Sequence, residues 1–426
     1  MAKLRNLVLL ALGCNGVIAG ATKSVPARTF GQCQRKTANP LDGCPDGTIY
    51  VSQIDKRAKF QSIQGAISSL RNDTTSHVIL IAPGIYTEQL NVTRQGPLTL
   101  LGVSDRPVRG EPYADISYEA PHANDVQIYW NSANHDAIFP DNVYTGVLTV
   151  GPNLNATLTG SGPTGFPVPG DTPFGCTDFR AYNIDFRNEY APYSNGPAHA
   201  VGISRANAGF YSCGFYSWQD TVYIGKLGNA YFYDSVVAGQ TDFLYGFGTL
   251  FIDSSSLSLR NCGGGITAWK GTNTTFANKY GVYISDSQLL AANSSIAPII
   301  TDKCSLGRPW NALHRSLFMN TYFDASVLPA GYTQWAGQPN GNFGVNTTMA
   351  VYKVNGPGYD EEAERANNIT AVFTAKEAKP YLRPVDVFMT PEGKQPNIKW
   401  IDPSVLFSAS TRFVSYSINL TSRKRM

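Results

Sequence analysis

Three short signatures of common hydrolase sites are missing from this 426-residue sequence. It contains no G-x-S-x-G, the turn that exposes a nucleophilic serine, and no H-E-x-x-H, the helical pair of zinc-binding histidines. C-x-x-C, a spacing typical of zinc-binding and redox-active cysteines, is also missing. These absences argue against a serine esterase and against a zinc enzyme.

The sequence also lacks an excess of charge and a long polar linker. Its 34 basic and 31 acidic residues give a net charge of +3, and loss of an N-terminal segment carrying Lys3 and Arg5 would leave 3 − 2 = +1. This balance gives no argument for a nucleic-acid partner. No Ser-, Pro- or Gly-rich linker divides the chain, which predicts one long domain over residues 49–385 rather than several globular ones.

Long apolar runs are rare, and the one at the N-terminus is interrupted. Lys3 and Arg5 precede an apolar stretch, residues 7–18, that ends in an A-x-A cleavage site, which predicts a signal peptide over residues 1–21. Two glycines and an asparagine within the stretch argue against a transmembrane helix. We therefore expect a secreted protein of the extracellular space or cell wall that has no membrane partner.

Cysteines are few, and six remain after the signal peptide. An even number suits disulfide formation in an oxidising compartment. Cys33 and Cys44 bracket a short loop and are predicted to pair, so that residues 22–48 form an N-terminal disulfide loop. The other four allow three pairings, although Cys213 is alternatively a buried thiol of the core. These four are Cys176, Cys213, Cys262 and Cys304.

Potential glycosylation sites are numerous. Eight Asn-x-Ser/Thr sequons occur, at Asn72, Asn91, Asn155, Asn273, Asn293, Asn346, Asn368 and Asn419. Chance supplies several of them in a chain rich in Asn, Ser and Thr. With the signal peptide, they favour a glycoprotein of a eukaryotic secretory route, as expected for a fungus or a plant.

Short β-branched and aromatic runs, broken by Gly and Asp, fill the middle of the chain. A large apolar residue followed by a polar and a small one recurs at Tyr211, Tyr233 and Ile252, with offsets of 22 and 19 residues. These offsets suit one coil of a solenoid. The pattern predicts an all-β fold built as a parallel β-helix, with coils from residue 178 to about Phe323.

The segments around these coils are expected to cap or decorate them. Residues 60–67 have apolar residues near helical spacing and are predicted to close the open N-terminal end. Residues 106–172 are rich in Pro, Gly, Asn and Asp, with a strand-like run only at 144–150, and either line the binding face or form an unrelated insertion. Two short helices are expected in EEAERANN and TAKEAKPYL, before a C-terminal extension over residues 386–426.

Two aspartates lie one predicted coil apart. Asp220 in WQDTVY and Asp242 in TDFLYG are separated by 242 − 220 = 22 residues, so their carboxylates should stack about 4.8 Å apart. Neighbouring like charges raise one pKa and leave the other low, which allows one acid and one base in the same site. The alternative is a polar ladder without catalysis. His199, 20 residues before Gln219, could lie on the preceding coil of the same face.

Five motifs follow one another along the chain: GIYTE at residues 84–88, HAV at 199–201, QDTVY at 219–223, TDFLYG at 241–246 and LGRPW at 306–310. Together and in this order they resemble the motifs of the pectin methylesterases. The resemblance covers roughly residues 50–382. It implies a right-handed, single-stranded parallel β-helix with short capping helices and long loops, and hydrolysis of the methyl esters of homogalacturonan.

The resemblance also implies roles for individual residues. Asp242 would attack the ester carbonyl and form an acyl-enzyme, while Asp220 would protonate the departing methanol and then activate water. Gln219 would donate its amide N–H to the oxyanion. Arg308, if it reaches Asp242, would keep that carboxylate charged, and its alternative is a structural ion pair.

Substrate contacts are expected from His199, Trp310, Trp269, Phe243 and Tyr223. Trp310 would stack on a sugar face or, alternatively, belong to the core. His199 stands where the family usually has a glutamine, and we hypothesise that it keeps the donor role and adds an acidic pH preference. A plain loss of activity is the competing outcome. Trp269, where the family tends to have a polar residue, would add a stacking platform or block a subsite.

Other functions fit the sequence less well. A polygalacturonase or pectate lyase would also be a secreted β-helix, and two carboxylates about 5 Å apart would suit a retaining glycosidase. A lyase of this kind needs several carboxylates to bind Ca²⁺, and acidic residues are sparse around Asp220 and Asp242. The non-enzymatic alternative is a wall-binding solenoid disabled at His199. We predict a monomeric carboxylic ester hydrolase without metal or cofactor, acting on methyl-esterified homogalacturonan.

Overall fold

The computed structural model describes residues 27–105, 123–160, 167–169, 171–271, 279–390 and 394–406. The predicted signal peptide lies outside these residues, as do the sequons at Asn273 and Asn419 and the end of the C-terminal extension. The other six sequon asparagines are solvent-exposed. Within the described ranges, no helix is long and apolar enough to cross a membrane.

The described chain winds through three sheets, and all strand pairs within them are parallel. The eleven-stranded sheet contains, in spatial order, Ile49–Val51, His77–Ile81, Leu98–Gly102, Phe179–Tyr182, Asn207–Tyr211, Asn229–Tyr233, Thr249–Asp253, Gly281–Ser285, Arg315–Met319, Thr348–Tyr352 and Ala371–Val372. The eight-stranded sheet contains Gly84–Thr87, Val126–Tyr129, Ile184–Arg187, Gly214–Tyr216, Val236–Thr241, Ser256–Gly263, Gln288–Ala291 and Tyr322–Phe323. The six-stranded sheet contains Leu90–Val92, Leu148–Val150, Val201–Ile203, Val222–Ile224, Leu244–Gly246 and Thr267–Trp269. This arrangement confirms the predicted parallel β-helix.

Helices are short and lie outside the sheets. The α-helices are Ala27–Cys33, Ile63–Ser68, Ala297–Ile300, Glu361–Asn367, Ala375–Ala378 and Pro384–Val387, and the 3₁₀ turns are His135–Ala137, Asn142–Thr145, Asn155–Thr157, Pro339–Asn342 and Lys379–Tyr381. The helix that begins at Ile63 is capped by Ser62, whose hydroxyl accepts from the N–H of Gly65. It buries Ile63 and Ile67 in the core at the N-terminal end of the coils, as predicted. The two helices predicted near residues 361 and 375 are also present.

Strand alternation produces two apolar layers. In Asn229–Tyr233, Ala230 and Phe232 belong to the interior core, whereas Tyr231 and Tyr233 belong to a layer on the other face. The second layer also contains Phe388 and Trp400, so this part of the C-terminal extension covers the outside of the eleven-stranded sheet. Each ring removed from water contributes about 2 to 3 kcal/mol.

Left-handed corners fix the register between coils. Ser212, Asp234 and Ser254 have φ of 49°, 52° and 50° and follow successive strands of the eleven-stranded sheet. Asp tolerates this conformation better than most residues. Tyr233 pairs with Asp253, so the repeat predicted to start at Ile252 starts one residue later. The prediction aligned the coils by the large apolar residue, whereas the residue with positive φ that follows each strand determines the alignment of adjacent coils.

The coils extend further in both directions than the sequence indicated. Residues 106–172, predicted to hold one strand-like run, contain Val126–Tyr129 as well as Leu148–Val150. Beyond Phe323, Thr348–Tyr352 and Ala371–Val372 continue the eleven-stranded sheet. The predictions were wrong here because insertions separate these strands, so no fixed repeat length reveals them.

The cysteines partly follow the sequence expectation. Cys33 and Cys44 form the predicted disulfide. A second disulfide joins Cys262 and Cys304. This bond occurs in only one of the three pairings that the sequence left open for the other four cysteines. Cys213 is a buried thiol, as its alternative interpretation held. Cys176 is likewise buried and unpaired in a disulfide.

Candidate active site

Asp220 and Asp242 occupy equivalent corners where the chain enters the six-stranded sheet. Their φ angles are 59° and 47°. Val222 pairs with Leu244, and each aspartate lies two residues before its strand residue, so the two are adjacent across coils at the strand spacing of about 4.8 Å. The N–H of Asp220 donates to the carbonyl of Thr241 over 3.1 Å. The predicted juxtaposition is therefore present.

Both aspartates line one cavity of about 760 Å³. Its lining residues are Asn134, Ala137, Phe139, Pro140, Asp141, Asn142, Thr159, Gly160, Pro167, Gln219, Asp220, Asp242, Tyr245, Ala268, Arg308, Trp310 and Trp335. The described part of the 106–172 excursion thus lines this cavity, which favours the first of its two interpretations. Asp141 joins the two lining stretches, because its carboxylate accepts from the N–H groups of Val143, Thr159 and Gly160 at 2.8 to 2.9 Å.

Asp242 is held by a guanidinium and a backbone amide. Arg308 donates from Nε to Oδ1 over 3.0 Å and from Nη2 to Oδ2 over 2.6 Å, and the N–H of Gly265 donates to Oδ1 over 3.0 Å. Gly264 has φ of +62°, and a Cβ there would lie 2.5 Å from Oδ1 of Asp242 and 2.7 Å from Nη2 of Arg308. A glycine is required for the ion pair to fit.

The surroundings separate the protonation behaviour of the two carboxyl groups. Burial and then the charge of Asp242 raise the pKa of Asp220 well above its ordinary value. Burial also raises the pKa of Asp242, but the hydrogen bonds and charge of Arg308 oppose that rise. The pair therefore keeps its shared proton on Asp220 and its negative charge on Asp242, where two guanidinium N–H groups neutralise it.

Gln219 is oriented by a loop from the preceding coil. The hydroxyl of Ser194 donates to Oε1 of Gln219 over 2.8 Å, and the N–H of Ser194 donates to Oε1 of Gln240 over 3.3 Å. Because the amide oxygen of Gln219 is engaged, its NH₂ group is turned away from Ser194. Gln219 thus presents N–H donors at the cavity that Asp220 and Asp242 also line.

Aromatic side chains form the wall beside the aspartates. Trp335 lies under the guanidinium of Arg308, 3.9 Å from Cζ to the ring centroid. Trp310 packs on Tyr245 and Phe247, with centroid separations of 5.5 and 5.9 Å. The ammonium of Lys270 lies 3.0 Å from the centroid of Trp310. Burial lowers the pKa of Lys270 to about 7, so the amine is only partly charged near neutral pH where it contacts the ring of Trp310.

Four of the five predicted substrate-contacting side chains are buried and do not line the cavity. Phe243 and Trp269 are fully buried in the interior core, and the indole N–H of Trp269 donates to the carbonyl of Gly248 over 3.1 Å. The prediction that these two contact substrate is wrong, because both side chains are packed inside the coils. Tyr223 is also buried, and its ring stacks on His199 at 5.7 Å.

His199 is fully buried and reaches the cavity only through another residue. Its Nε2 is hydrogen-bonded to the hydroxyl of Tyr245, which lines the cavity. Burial lowers the pKa of His199 to about 4, so the ring is neutral over most of the pH range. The expected direct donation from His199 to substrate does not match this position.

Sequence reasoning missed Tyr245, Trp335, Asp141 and Ser194. Tyr245 lies three residues after Asp242 in the TDFLYG motif, so its proximity was a usable signal. The others come from loops that are distant in sequence, and no local pattern marks them. Their contribution depends on which loops the fold brings together.

Two other cavities lie in the described part of the chain. One, of about 570 Å³ near Ile85 and Trp130, has no Asp, Glu, His, Lys or Arg in its lining. The other, of about 840 Å³, lies beside Trp400 and contains Asp178 and Lys399, but Asp178 is held in an ion pair by Arg180. Across the described ranges, no group of three or more His, Cys, Asp and Glu side chains could hold a metal ion. The cavity with the aspartate pair is therefore the candidate active site.

Known proteins are similar to this chain in sequence and in fold. A model of the pectinesterase family matches residues 172–387, which are 216 of the 426 residues. Probable pectinesterase A of Aspergillus niger is 26% identical over 368 residues, covering 85% of this chain and 92% of the relative. Putative pectinesterase 11 of Arabidopsis thaliana is 25% identical over 370 residues, covering 83% and 87%.

Solved structures agree with these relatives. The pectin methylesterase of Aspergillus niger superimposes with a TM-score of 0.61 at 22% identity, covering 85% of this chain and 98% of that one. A pectin methylesterase in complex with a hexasaccharide gives 0.60 at 22% identity, covering 80% and 98%. At such identities the structural likeness establishes a shared fold. The family match covers the coils that carry Gln219, Asp220, Asp242 and Arg308, and with relatives matched along most of their length it shows that this chain belongs to the pectinesterase family.

Proposed function

We propose that this protein hydrolyses the methyl esters of homogalacturonan, releasing methanol and leaving pectate. As a pectinesterase it is a carboxylic ester hydrolase. The observation that supports the reaction most directly is the bidentate pair of the Asp242 carboxylate with Arg308, next to Asp220, whose pKa is raised by burial and by the charge of Asp242. A nucleophile and an acid then occupy one cavity, as acyl transfer through a covalent intermediate requires.

In the first half-reaction, the carboxylate of Asp242 attacks the ester carbonyl carbon. The carbonyl oxygen becomes an oxyanion, and the NH₂ group of Gln219 donates a hydrogen bond to it. The tetrahedral intermediate collapses when the carbon–methoxide bond breaks. Asp220 gives its proton to the departing methoxide, so methanol leaves and an acyl-enzyme anhydride remains on Asp242.

In the second half-reaction, Asp220 is ionised and acts as the base. It takes a proton from a water molecule whose oxygen attacks the acyl carbon of the galacturonate. The bond to Asp242 breaks and the carboxylate of Asp242 returns to its pair with Arg308. The second proton of the water stays on the new carboxylic acid, which loses it to solvent and departs as pectate. The raised pKa of Asp220 suits both roles, since it favours the protonated form between turnovers.

The wall of the cavity suits a sugar chain. Trp310 and Trp335 line it together with Asp220 and Asp242, and partly exposed aromatic rings offer apolar faces against which pyranose rings pack. One related pectin methylesterase structure holds a hexasaccharide. We further propose that the protein is secreted and acts as a monomer on cell-wall pectin, without a metal ion or cofactor.

The decisive experiment measures methanol released from highly methyl-esterified pectin by the mature protein between pH 4 and 9. New reducing ends and unsaturated products are measured in the same samples. Methanol without chain cleavage is the expected result. Cleavage without methanol would indicate a glycosidase or lyase, and a folded protein that binds pectin in a pull-down but releases nothing would show a binding solenoid.

Ser194→Ala is expected to reduce kcat by about fivefold with little change in KM. The variant removes one hydrogen bond of about 1 kcal/mol that orients the amide of Gln219. Ser194→Thr keeps the hydroxyl and should retain most of the activity. Steady-state kinetics on methyl-esterified pectin provide the check, and wild-type kcat in the alanine variant would contradict this orienting role.

A further inference from the structure

The contact between His199 and Tyr245 joins a fully buried imidazole to the cavity. Nε2 of His199 is hydrogen-bonded to the hydroxyl of Tyr245, and Tyr245 lines the cavity beside Gln219, Asp220 and Asp242. The mechanism above uses neither residue. The residue that carries this hydroxyl nevertheless lines the same cavity as the reacting groups.

The surroundings of the ring favour one tautomer of His199. Within the described ranges, its Nδ1 is buried and has no hydrogen-bond partner, and burial keeps the ring neutral by lowering its pKa to about 4. An orphaned N–H group is rarer in buried sites than an orphaned acceptor. The hydrogen therefore belongs on Nε2, and His199 donates to the oxygen of Tyr245.

The donation from His199 settles the role of the phenol hydrogen. With His199 donating to its oxygen, the hydroxyl of Tyr245 keeps its own hydrogen for another partner. Asn142 lines the cavity together with Tyr245, and its Oδ1 accepts from Nδ2 of Asn134 over 2.8 Å.

We propose that Tyr245 is a further hydrogen-bond donor of the active site and that His199 is a positioning residue that directs the Tyr245 hydroxyl into the cavity. The hydroxyl donates to the acyl oxygen of the substrate as negative charge develops there, alongside Gln219. This inference rests on the proposed esterase function. The phenol itself stays neutral, since burial and the charge of Asp220 raise the pKa of Tyr245 well above its ordinary value.

Tyr245→Phe tests the donor. We expect kcat on methyl-esterified pectin to fall about 100-fold, as for loss of an oxyanion donor. KM should change by less than about twofold, and each limb of the pH profile should shift by less than about 0.3 pH units. Tyr129→Phe is the matched control, because its hydroxyl donates to Oε1 of Gln127 over 3.1 Å and Tyr129 does not line the cavity of the aspartate pair. Unchanged kcat in Tyr245→Phe would overturn the proposal, and a displaced pH limb would overturn the assignment to the acyl oxygen.

A double-mutant cycle tests the positioning role of His199. His199→Leu should lower kcat nearly as much as Tyr245→Phe, and should cause no further loss when Tyr245 is already phenylalanine. His199→Gln retains an N–H donor and should recover at least tenfold over the leucine variant. Additive losses would overturn the proposal, since a purely structural effect of His199 would not depend on the hydroxyl.

The cycle also separates this inference from the proposed function. If the wild-type protein releases no methanol, the esterase proposal fails before any variant is compared. If the wild type is active and Tyr245→Phe equals it, only the donor proposal fails. Thermal unfolding of each variant shows whether a loss reflects the folded fraction, because His199 is fully buried and its replacement changes the packing of the core.

Discussion

Asp242→Asn releases at least about a thousandfold less methanol than the wild-type protein under otherwise identical conditions. The amide keeps the shape of the side chain and the left-handed corner, since Asn tolerates positive φ. It has no negative charge with which to attack the ester carbonyl, and its NH₂ group would face a guanidinium that also carries only donors. Methanol assayed at substrate saturation measures the effect.

Asp286→Asn is the matched control for this substitution. Asp286 also lies at a left-handed corner, with φ of 49°, but it is exposed to solvent and lies outside the cavity. Its activity and melting temperature should stay close to those of the wild type. Residual turnover above 1% in a folded Asp242→Asn protein would contradict covalent catalysis by Asp242.

Arg308→Met is expected to lower kcat/KM by at least about 100-fold at pH 5 and to move the acidic limb of the profile to higher pH. Arg308 supplies two of the three hydrogen bonds found on the carboxylate of Asp242. Loss of this partner leaves burial unopposed, so the pKa of Asp242 rises further. Because the ionised form is the nucleophile, activity that survives appears only at a more alkaline pH. The pH dependence of kcat/KM provides the measurement.

Two further variants define what Arg308 contributes. Arg308→Lys keeps a positive charge but cannot form the bidentate pair, so its acidic limb should lie between those of wild type and Arg308→Met. Arg365→Met removes an arginine from the exposed pair with Glu361 and should change neither activity nor the profile. An acidic limb that is unchanged in Arg308→Met would show that Arg308 does not control the ionisation of Asp242.

The site residues that repeat with the coils could be predicted from the sequence. Asp220 and Asp242 lie one coil apart, so a repeat length was enough to place them side by side. Gln219 is adjacent to one of them, and Arg308 belongs to a motif of the same family. Phe243 lies within the TDFLYG motif and Trp269 in ITAWKG, yet both side chains are buried in the core. Because side-chain direction alternates along each strand, two adjacent residues face opposite sides. The sequence alone did not show which of the two faces the cavity.

The sequence by itself determined the parallel coils, the stacked aspartates and the family, because each depends on local runs and on spacings that repeat along the chain. Only the tertiary structure showed that Asp141 joins two loops that line the cavity, that Ser194 is hydrogen-bonded to Gln219, and that His199 is hydrogen-bonded to Tyr245. Those contacts join segments whose separation follows no period, so closure of the fold decides which of them meet. Burial likewise depends on that closure, and it is burial that raises the pKa of Asp220 and keeps His199 neutral.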